Sequence, residues 1–529
     1  MTNSIGELEK DANCIFVIGS NTVENHPVIG MKIKHNKLYN GAKLIVADPR
    51  RTDLAEIADV YMPHIPGSDV ALVNAMMNVI ISEGLADQAF IAEHTEGYEA
   101  MAALVEKFTP EFAEPITGVP AEDIRAAARV YAQSGNAVIC YAMGLTQHRT
   151  GTDNVKSVCN LAMLTGNIGR PGTGVDPLRG QNNVQGACDM GALPVVYTAY
   201  QNVTNEAARV KFEQAWGVSL PAENGLVLTE VINKAYHGEM KALYVFGENP
   251  MMSDPDLHHV EEALEKLDFL VVQDIFLTET AKYADVVLPG SCFAEKNGTF
   301  SNTERRVQRV RKAVSAPGQA RADWEIICEI ANRMGYAMNY ANAEEIFEEI
   351  RGLTPSYAGI NYARLEKGGL QWPCPTEEHP GTPFLHKDGN FSRGKGAFAA
   401  IDYIPPGEQP DEEYPLILTT GRSLFHYHTG TMTRRASALD THKPEPELEI
   451  NPITAASKGI QDGDLVRIST RRGGLNIRAK LTSMVAPQVV FMTFHFAEAA
   501  ANWLTSSEFL DPVAKIPEYK VSACKVEKI

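Results

Sequence analysis

The chain has 529 residues, 44% of them hydrophobic and 22% charged, a globular composition that excludes disorder, collagen and coiled coil as descriptions of the whole. Typical domain sizes predict roughly three to four domains. Lys and Arg number 48 and Asp and Glu 66, so the formal charge is −18, which argues against nucleic-acid or anionic-membrane affinity but allows a local basic pocket for a small anion.

Taken in chain order, residues 1–180 alternate strand-like and helical stretches. Cys14–Gly19, Lys43–Ala47 and Ala137–Tyr141 read as strands, and Val70–Ile81 and Ala121–Ala132 as amphipathic segments. This alternation predicts a doubly wound parallel sheet. Residues 181–385 repeat the style, with Ala242–Phe246 and Phe269–Val272 as strands. The stretch 371–415 is rich in proline and reads as a connection, with 386–414 as the linker proper. From 415 to 529 the pattern changes to short strands: Leu416–Thr420, Leu465–Thr470, Leu475–Leu481, Val489–Phe494 and Val521–Val526. Asp462-Gly463 and Gly473-Gly474 are turn signals. A small β-barrel or sandwich is expected there.

A repeat constrains the ligand. Phe16–Asn21 aligns with Tyr244–Asn249, Leu44–Asp48 with Val271–Asp274, Thr52–Val60 with Thr278–Val286, and Gly67-Ser68 with Gly290-Ser291. Each copy reads strand, glycine turn, helix, strand, and then an aspartate at the strand end. Glycine lets a backbone approach phosphate, and a strand-end carboxylate takes ribose hydroxyls. The full GxGxxG of nicotinamide enzymes is absent from both copies. Two nucleotide-like ends, or one large pseudo-symmetric cofactor, are expected. A duplication kept for its fold alone is the other reading.

Between the copies lies Asp176–Gly191, dense in Gly, Gln and Asn, with one arginine, Arg179. The planar fork of Arg179 suits a small carboxylate. A solvated surface loop is the bland alternative. The eight cysteines are dispersed with no CxxC spacing, so no zinc ribbon or iron–sulfur cluster is expected within this chain. Dispersed thiols, and the lack of a visible signal peptide, predict a reducing, cytoplasmic setting. No stretch reaches the roughly 18 apolar residues of a membrane span.

Five stretches carry a resemblance: Arg179–Pro194 (RGQNNVQGACDMGALP), Leu161–Pro177, Val272–Pro289, Gly421–Arg435 and Pro517–Lys520. The chain resembles the catalytic subunits of molybdenum- or tungsten-dependent formate dehydrogenases of the dimethyl sulfoxide reductase family. The resemblance implies an α/β fold of two pseudo-symmetric doubly wound αβα domains, one incomplete, plus a C-terminal β-barrel. It implies domains at 1–180 and 181–385, and a dinucleotide-binding barrel at 415–529. The implied cofactor is a metal held by two molybdopterin guanine dinucleotides. Its implied holders are Gly19, Asn21, Asp48, Arg50, Gly67, Gly144, Gln147, Gln181, Gly247, Glu248, Asn249, Gln273 and Asp274, with Arg422, His426, Tyr427 and Lys520 from the barrel. Arg179 would hold formate. Helix capping is the plainer role for Asp48 and Asp274, and ordinary strand positions for His426 and Tyr427.

The resemblance further implies that the family pattern starts upstream of Met1, with a CxxC-type [4Fe–4S] site and a metal-ligating selenocysteine or cysteine followed by histidine. A selenocysteine codon read as a stop would produce such a start; a split gene or a fragment are alternatives. A chain lacking those groups is expected to oxidise no formate alone and to leave an apolar face exposed. Implied partners are formate and carbon dioxide, and electron-transfer subunits of iron–sulfur, NAD-linked or hydrogenase type. Three other readings stay open: a nitrate reductase-like enzyme of the same cofactor family, a non-catalytic pterin-binding remnant and, less well supported, a nicotinamide dehydrogenase.

Overall fold

Cys14–Ile18 (β1), Lys43–Ala47 (β2), Val60–Met62 (β3), Ala137–Tyr141 (β4) and Gly174–Pro177 (β5) lie side by side in the order β3-β2-β1-β4-β5, every pair parallel. The computed structural model describes all residues, Met1–Ile529. β1 and β4 are buried along their whole length, which is why they read as unbroken apolar runs. One face of the sheet, with Phe16, Ile18 and Ile139, packs on helices Asp69–Ser82 (α1), Ala121–Gln133 (α2) and Gly151–Leu164 (α3). The other face, with Ile15, Val17 and Val138, packs on Leu8, Ile29 and Ile33. Helices on both faces make the sheet doubly wound. α1 departs from the amphipathic expectation. Residues from Asp69 to Met77 are all buried, because α2 and α3 cover the sides that the sheet leaves.

The strand order reverses between β1 and β4, and in such sheets ligands bind outside the carboxyl ends at that reversal. The turns after the two strands touch there. The Gly144 N–H donates to the Gly19 carbonyl at 3.0 Å, and a side-chain carbon on Gly144 would lie 2.5 Å from that oxygen.

Contacts divide the chain into two units: Met1–Gly180 with Met252–Leu257 and Phe384–Ile529, and Gln181–Met251 with His258–Pro383. The second unit carries Ala242–Phe246 (β6), Phe269–Asp274 (β7) and Val286–Pro289 (β8) in the order β8-β7-β6, all parallel. Its backbone geometry repeats the first unit's. The Gly19 N–H donates to Ala47 O at 2.9 Å, and the Gly247 N–H to Gln273 O at 2.9 Å. The Asp59 carboxylate accepts the Leu44 N–H at 2.7 Å, and the Asp285 carboxylate the Leu270 N–H at 2.7 Å. One face of this smaller sheet leaves Tyr244, Phe246, Phe269 and Val286 exposed.

Six strands close a barrel within the first unit: Leu416–Gly421 (β9), Glu447–Ile450 (β10), Leu465–Thr470 (β11), Gly473–Leu481 (β12), Val489–Thr493 (β13) and Ser522–Lys528 (β14), ordered β9-β13-β10-β12-β11-β14. β10 was not legible as a strand: Glu-Leu-Glu-Ile is short and follows a Pro- and Glu-rich stretch. Asp462-Gly463 turns as expected, but Gly473-Gly474 does not. The β11–β12 turn falls on Arg471-Arg472, and Gly474 is ladder, where a side-chain carbon would stand 2.7 Å from Ser469 Oγ.

The proline-rich stretch is more than a connection. Gly396–Ala397 pairs with Thr95–Glu96, and Phe398 and Ile401 are buried. Asn160 exchanges two hydrogen bonds with Ala399, and Asn74 donates to the Ile401 carbonyl at 2.9 Å. Two helix asparagines thus satisfy a backbone with no ladder of its own. No helix is long and apolar enough to cross a membrane.

Gly144→Ala is expected to cost about 1–3 kcal/mol, because the added carbon meets backbone that cannot move aside. Urea unfolding checks this; an unchanged midpoint would show that the two turns separate freely.

Candidate functional site

The turn after β1 holds Gly19 at φ +57°, so the chain leaves the strand sharply toward Ser20 and Asn21. The amide nitrogen of Asn21 is buried without a hydrogen-bond partner. A buried orphan donor is costly unless a ligand accepts from it. Beyond Gly144, Gln147 ends a short helix over Met143–Thr146. Asp48 stands at the end of β2 and accepts the Arg50 N–H at 2.9 Å, while burial pushes its carboxyl up. Arg50 is engaged with protein: it reaches both oxygens of Glu449 at 3.0 Å and stacks 3.7 Å over the Phe491 ring. Gly67 is tucked beneath Pro406.

The barrel adds two cations that form no salt bridge. Lys520 is buried and donates to the Thr420 carbonyl at 2.7 Å. Burial and the neighbouring Arg422 bring its pKa down to about 7, against a smaller opposing pull from Asp48. Arg422 has lost solvent, and only Tyr427 favours its charge electrostatically. Burial, with the Arg422 charge adding to it, holds His26 and His428 down to about 4. His495 sits at about 3 for the same leading reason, burial. These imidazoles are neutral at pH 7.

His495 has a fixed tautomer. It accepts the Ser423 N–H on Nε2 at 2.9 Å, so Nδ1 carries the proton and donates to the carbonyl of His428, which is held at φ +47°. His426 is turned into its own loop. Nε2 donates to the Lys443 carbonyl at 2.6 Å and Nδ1 accepts from Thr433 Oγ1 at 3.2 Å. Both ring nitrogens therefore serve to fold the loop.

A buried network lies beside these residues and escaped the sequence reading. His64 Nε2 meets Asp69 Oδ1 at 3.1 Å; His148 donates to the Gly144 carbonyl at 2.8 Å and stands 3.8 Å from Glu518. Burial opposes charge on His64, yet Asp69, with Asp48 behind it, raises its pKa. Burial likewise opposes the Asp69 carboxylate, but His64 holds it low. The signal was present: the repeat stops at Gly67-Ser68, one residue short of Asp69.

In the second unit, Gly247 is at φ +61° with nothing within 4 Å of the place a side chain would take. That is an open cradle beside Glu248. Asn249 accepts from Thr280 Oγ1 at 2.7 Å and donates to Glu279 at 2.8 Å, pinning the turn. Gln273 is buried and donates to Asp323 at 2.8 Å, and burial raises the Asp274 carboxyl. Gln181 is half-buried, opening the Gln- and Asn-rich segment.

Among the expected residues, Gly19, Asn21, Asp48, Arg50, Gly67, Gly144, Gln147, Arg179, Arg422, His426, Tyr427 and Lys520 fall in the first unit. Gln181, Gly247, Glu248, Asn249, Gln273 and Asp274 fall in the second. In the first unit the orphan Asn21 amide and two cations outside any salt bridge fit a phosphate-rich nucleotide group, and in the second the open turn at Gly247 does.

The family model described as Molybdopterin oxidoreductase matches residues 1–333. A second, described as Molydopterin dinucleotide binding domain, matches residues 416–523. The chain belongs to the molybdopterin oxidoreductase family. It is 54% identical over 532 residues to the F420-dependent formate dehydrogenase subunit alpha of Methanocaldococcus jannaschii, covering 100% of this chain and 78% of the relative. It is 44% identical over 535 residues to formate dehydrogenase H of Escherichia coli, covering 100% and 74%. Among solved structures, acetylene hydratase from Pelobacter acetylenicus superposes with a TM-score of 0.77 at 22% identity, covering 100% of this chain and 81% of that one; the likeness is one of fold. Matches to both family models support a molybdopterin dinucleotide cofactor.

Two expectations follow for this oxidoreductase. Asp69→Ala leaves a buried histidine without its partner and should cost about 3–5 kcal/mol, read by thermal unfolding. In cofactor-free protein, the unfolded chain binds the Lys520 proton up to about pH 10, whereas the folded chain releases it near 7. Stability should therefore rise with pH across that window, Lys520→Met should flatten the rise, and guanosine diphosphate should stabilise most at the low end.

Proposed function

We propose that the chain is the catalytic subunit of a formate dehydrogenase that interconverts formate and carbon dioxide. The observation that carries this reading is the 44–54% identity, across the whole chain, to relatives named formate dehydrogenases, Arg179 included in the aligned span. The geometry supports it. Arg179 follows β5 directly, on the sheet edge next to the strand whose turn carries Gly144. Leu178 is buried, and its N–H donates to the Tyr141 carbonyl at 2.7 Å, so the arginine leaves from a fixed point.

The matching turns support a molybdopterin guanine dinucleotide at each unit, with molybdenum or tungsten as the metal. Gly19, Asn21, Asp48, Gly144 and Gln147 would serve one end, with Arg422 and Lys520 meeting phosphate charge and Tyr427 donating a hydrogen bond. Gly247, Glu248, Asn249, Gln273 and Asp274 would serve the other, with Gln181 contributing amide contacts. Arg50, His426 and Gly67 would hold these loops rather than touch the group. When bound, the metal–pterin group supplies the two-electron redox chemistry.

Arg179 presents a rigid fork to both formate oxygens, which turns the C–H away from the guanidinium. Oxidation of formate gives carbon dioxide, one proton and two electrons. The product is neutral, so the guanidinium that held the anion loses its grip on it, and release follows from charge alone. The electrons pass to an electron-transfer partner subunit. The reading places the protein in the cytoplasm.

Formate-dependent reduction of a viologen dye by the protein isolated from its source tests the reading; turnover of nitrate and not formate would replace it. Arg179→Ala removes two charge-assisted hydrogen bonds and should raise the KM for formate about a hundredfold or more. Arg179→Lys should recover only part, because a lysine cannot pair bidentately. An Ala variant with near-normal KM and kcat would strip Arg179 of the role.

A further inference from the structure

The residue after Arg179 is Gly180, and the space where its side chain would stand is filled by Arg422. A carbon built there would lie 2.4 Å from Nη1, 2.7 Å from Nη2 and 2.8 Å from Cζ of Arg422. The guanidinium head therefore lies directly against the backbone of the turn that carries Arg179. The backbone on both sides of this contact is held. The turn is tied at Leu178, whose N–H donates to the Tyr141 carbonyl at 2.7 Å. Arg422 is tied through Ser423, whose N–H donates to His495 at 2.9 Å, and its guanidinium stands 5.7 Å from the Phe494 ring centroid. His495 in turn grips the His428 carbonyl, so one neutral imidazole braces both limbs of the barrel loop.

We infer that Gly180 is a positioning residue that seats the Arg179 turn on Arg422, so that the arginine for the cofactor and the arginine for the substrate share one contact. The inference rests on the proposed reading of Arg179 as the formate ligand. A carbon at 180 would overlap both guanidinium nitrogens, so either the Arg422 head swings aside or the turn, and Arg179 with it, moves off its seat. Misplacement of a substrate-orienting group by about 1 Å costs on the order of a hundredfold in rate. Lysine at 422 keeps the charge but lacks the planar fan, and so leaves room for the added carbon.

The test compares wild type, Gly180→Ala, Arg422→Lys and the double variant. The readouts are the KM and kcat for formate, the guanine nucleotide released per chain, and binding of radiolabelled formate by equilibrium dialysis. Gly180→Ala should raise the KM and the dialysis Kd for formate about tenfold or more, with kcat changed less and nucleotide content at the wild-type value. In the Arg422→Lys background the same change should cost less than about threefold, since the collision is gone. If Gly180→Ala does not fold, the double variant carries the test alone: it should fold and bind formate within about threefold of Arg422→Lys. Unchanged formate affinity in Gly180→Ala, an equal penalty in both backgrounds, or loss of nucleotide without loss of formate affinity overturns the inference. Failure of the wild type to oxidise formate defeats the functional reading instead, and the inference with it.

Discussion

Two glycines meeting backbone to backbone decide where the rest of the first unit's site can be. The Gly144 N–H donates to the Gly19 carbonyl, and no side chain fits on either residue. The contact joins the turns after β1 and β4 at the reversal of strand order. A parallel sheet collects its carboxyl ends on one edge, and the reversal parts the chain there into a crevice. Asn21, Asp48 and Gln147 leave from neighbouring turns on that edge, and Arg179 from the end of β5. The sheet therefore fixes the convergence of the chemical groups before any of them is chosen.

Buried charge in the first unit comes in two kinds, and they do different work. Arg50 with Glu449, Arg472 with Glu408 and His64 with Asp69 are balanced pairs. Two of them cross from the sheet or the proline-rich segment to the barrel, so breaking one would leave a stranded ion. Arg422 and Lys520 are unbalanced. The Arg422 charge adds to burial in keeping His26, His428 and His495 neutral. The balanced pairs build the scaffold, and in the proposed reading a dinucleotide phosphate gives the other two cations anionic company.

Much of the α/β frame was legible because buried parallel strands cannot be written in any other way. Lys43–Ala47 and Ala137–Tyr141 need unbroken apolar runs bounded by turns, and their ends fall where the residues change; Ala242–Phe246 keeps the same run although one of its faces is exposed. Glu447–Ile450 was not legible, since four residues with one wet face, set between Pro446 and Asn451-Pro452, look like loop. Gly473-Gly474 misled because glycine also serves a ladder that needs space for Ser469 and Arg467. Gly19, Asp48, Gly247 and Asp274 stood out because the repeat wrote them twice. His64 with Asp69, His148 and Glu518 meet in one buried cluster from three distant places, and only folding reveals that. His426 had the right residue type, but its two nitrogens are taken by Thr433 and Lys443.

The overall charge of −18 sets a last condition on the proposed substrate. Formate is an anion, and an acidic surface repels it. Screening shortens that repulsion to about 8 Å at physiological salt, so the field inside a crevice is set by the nearest fixed charges. Arg179, Arg422 and Lys520 are such charges. Two dinucleotides bring several negative phosphates and would neutralise Arg422 and Lys520 first. In the proposed reading Arg179, held on a turn seated against Arg422, is the guanidinium that captures the carboxylate.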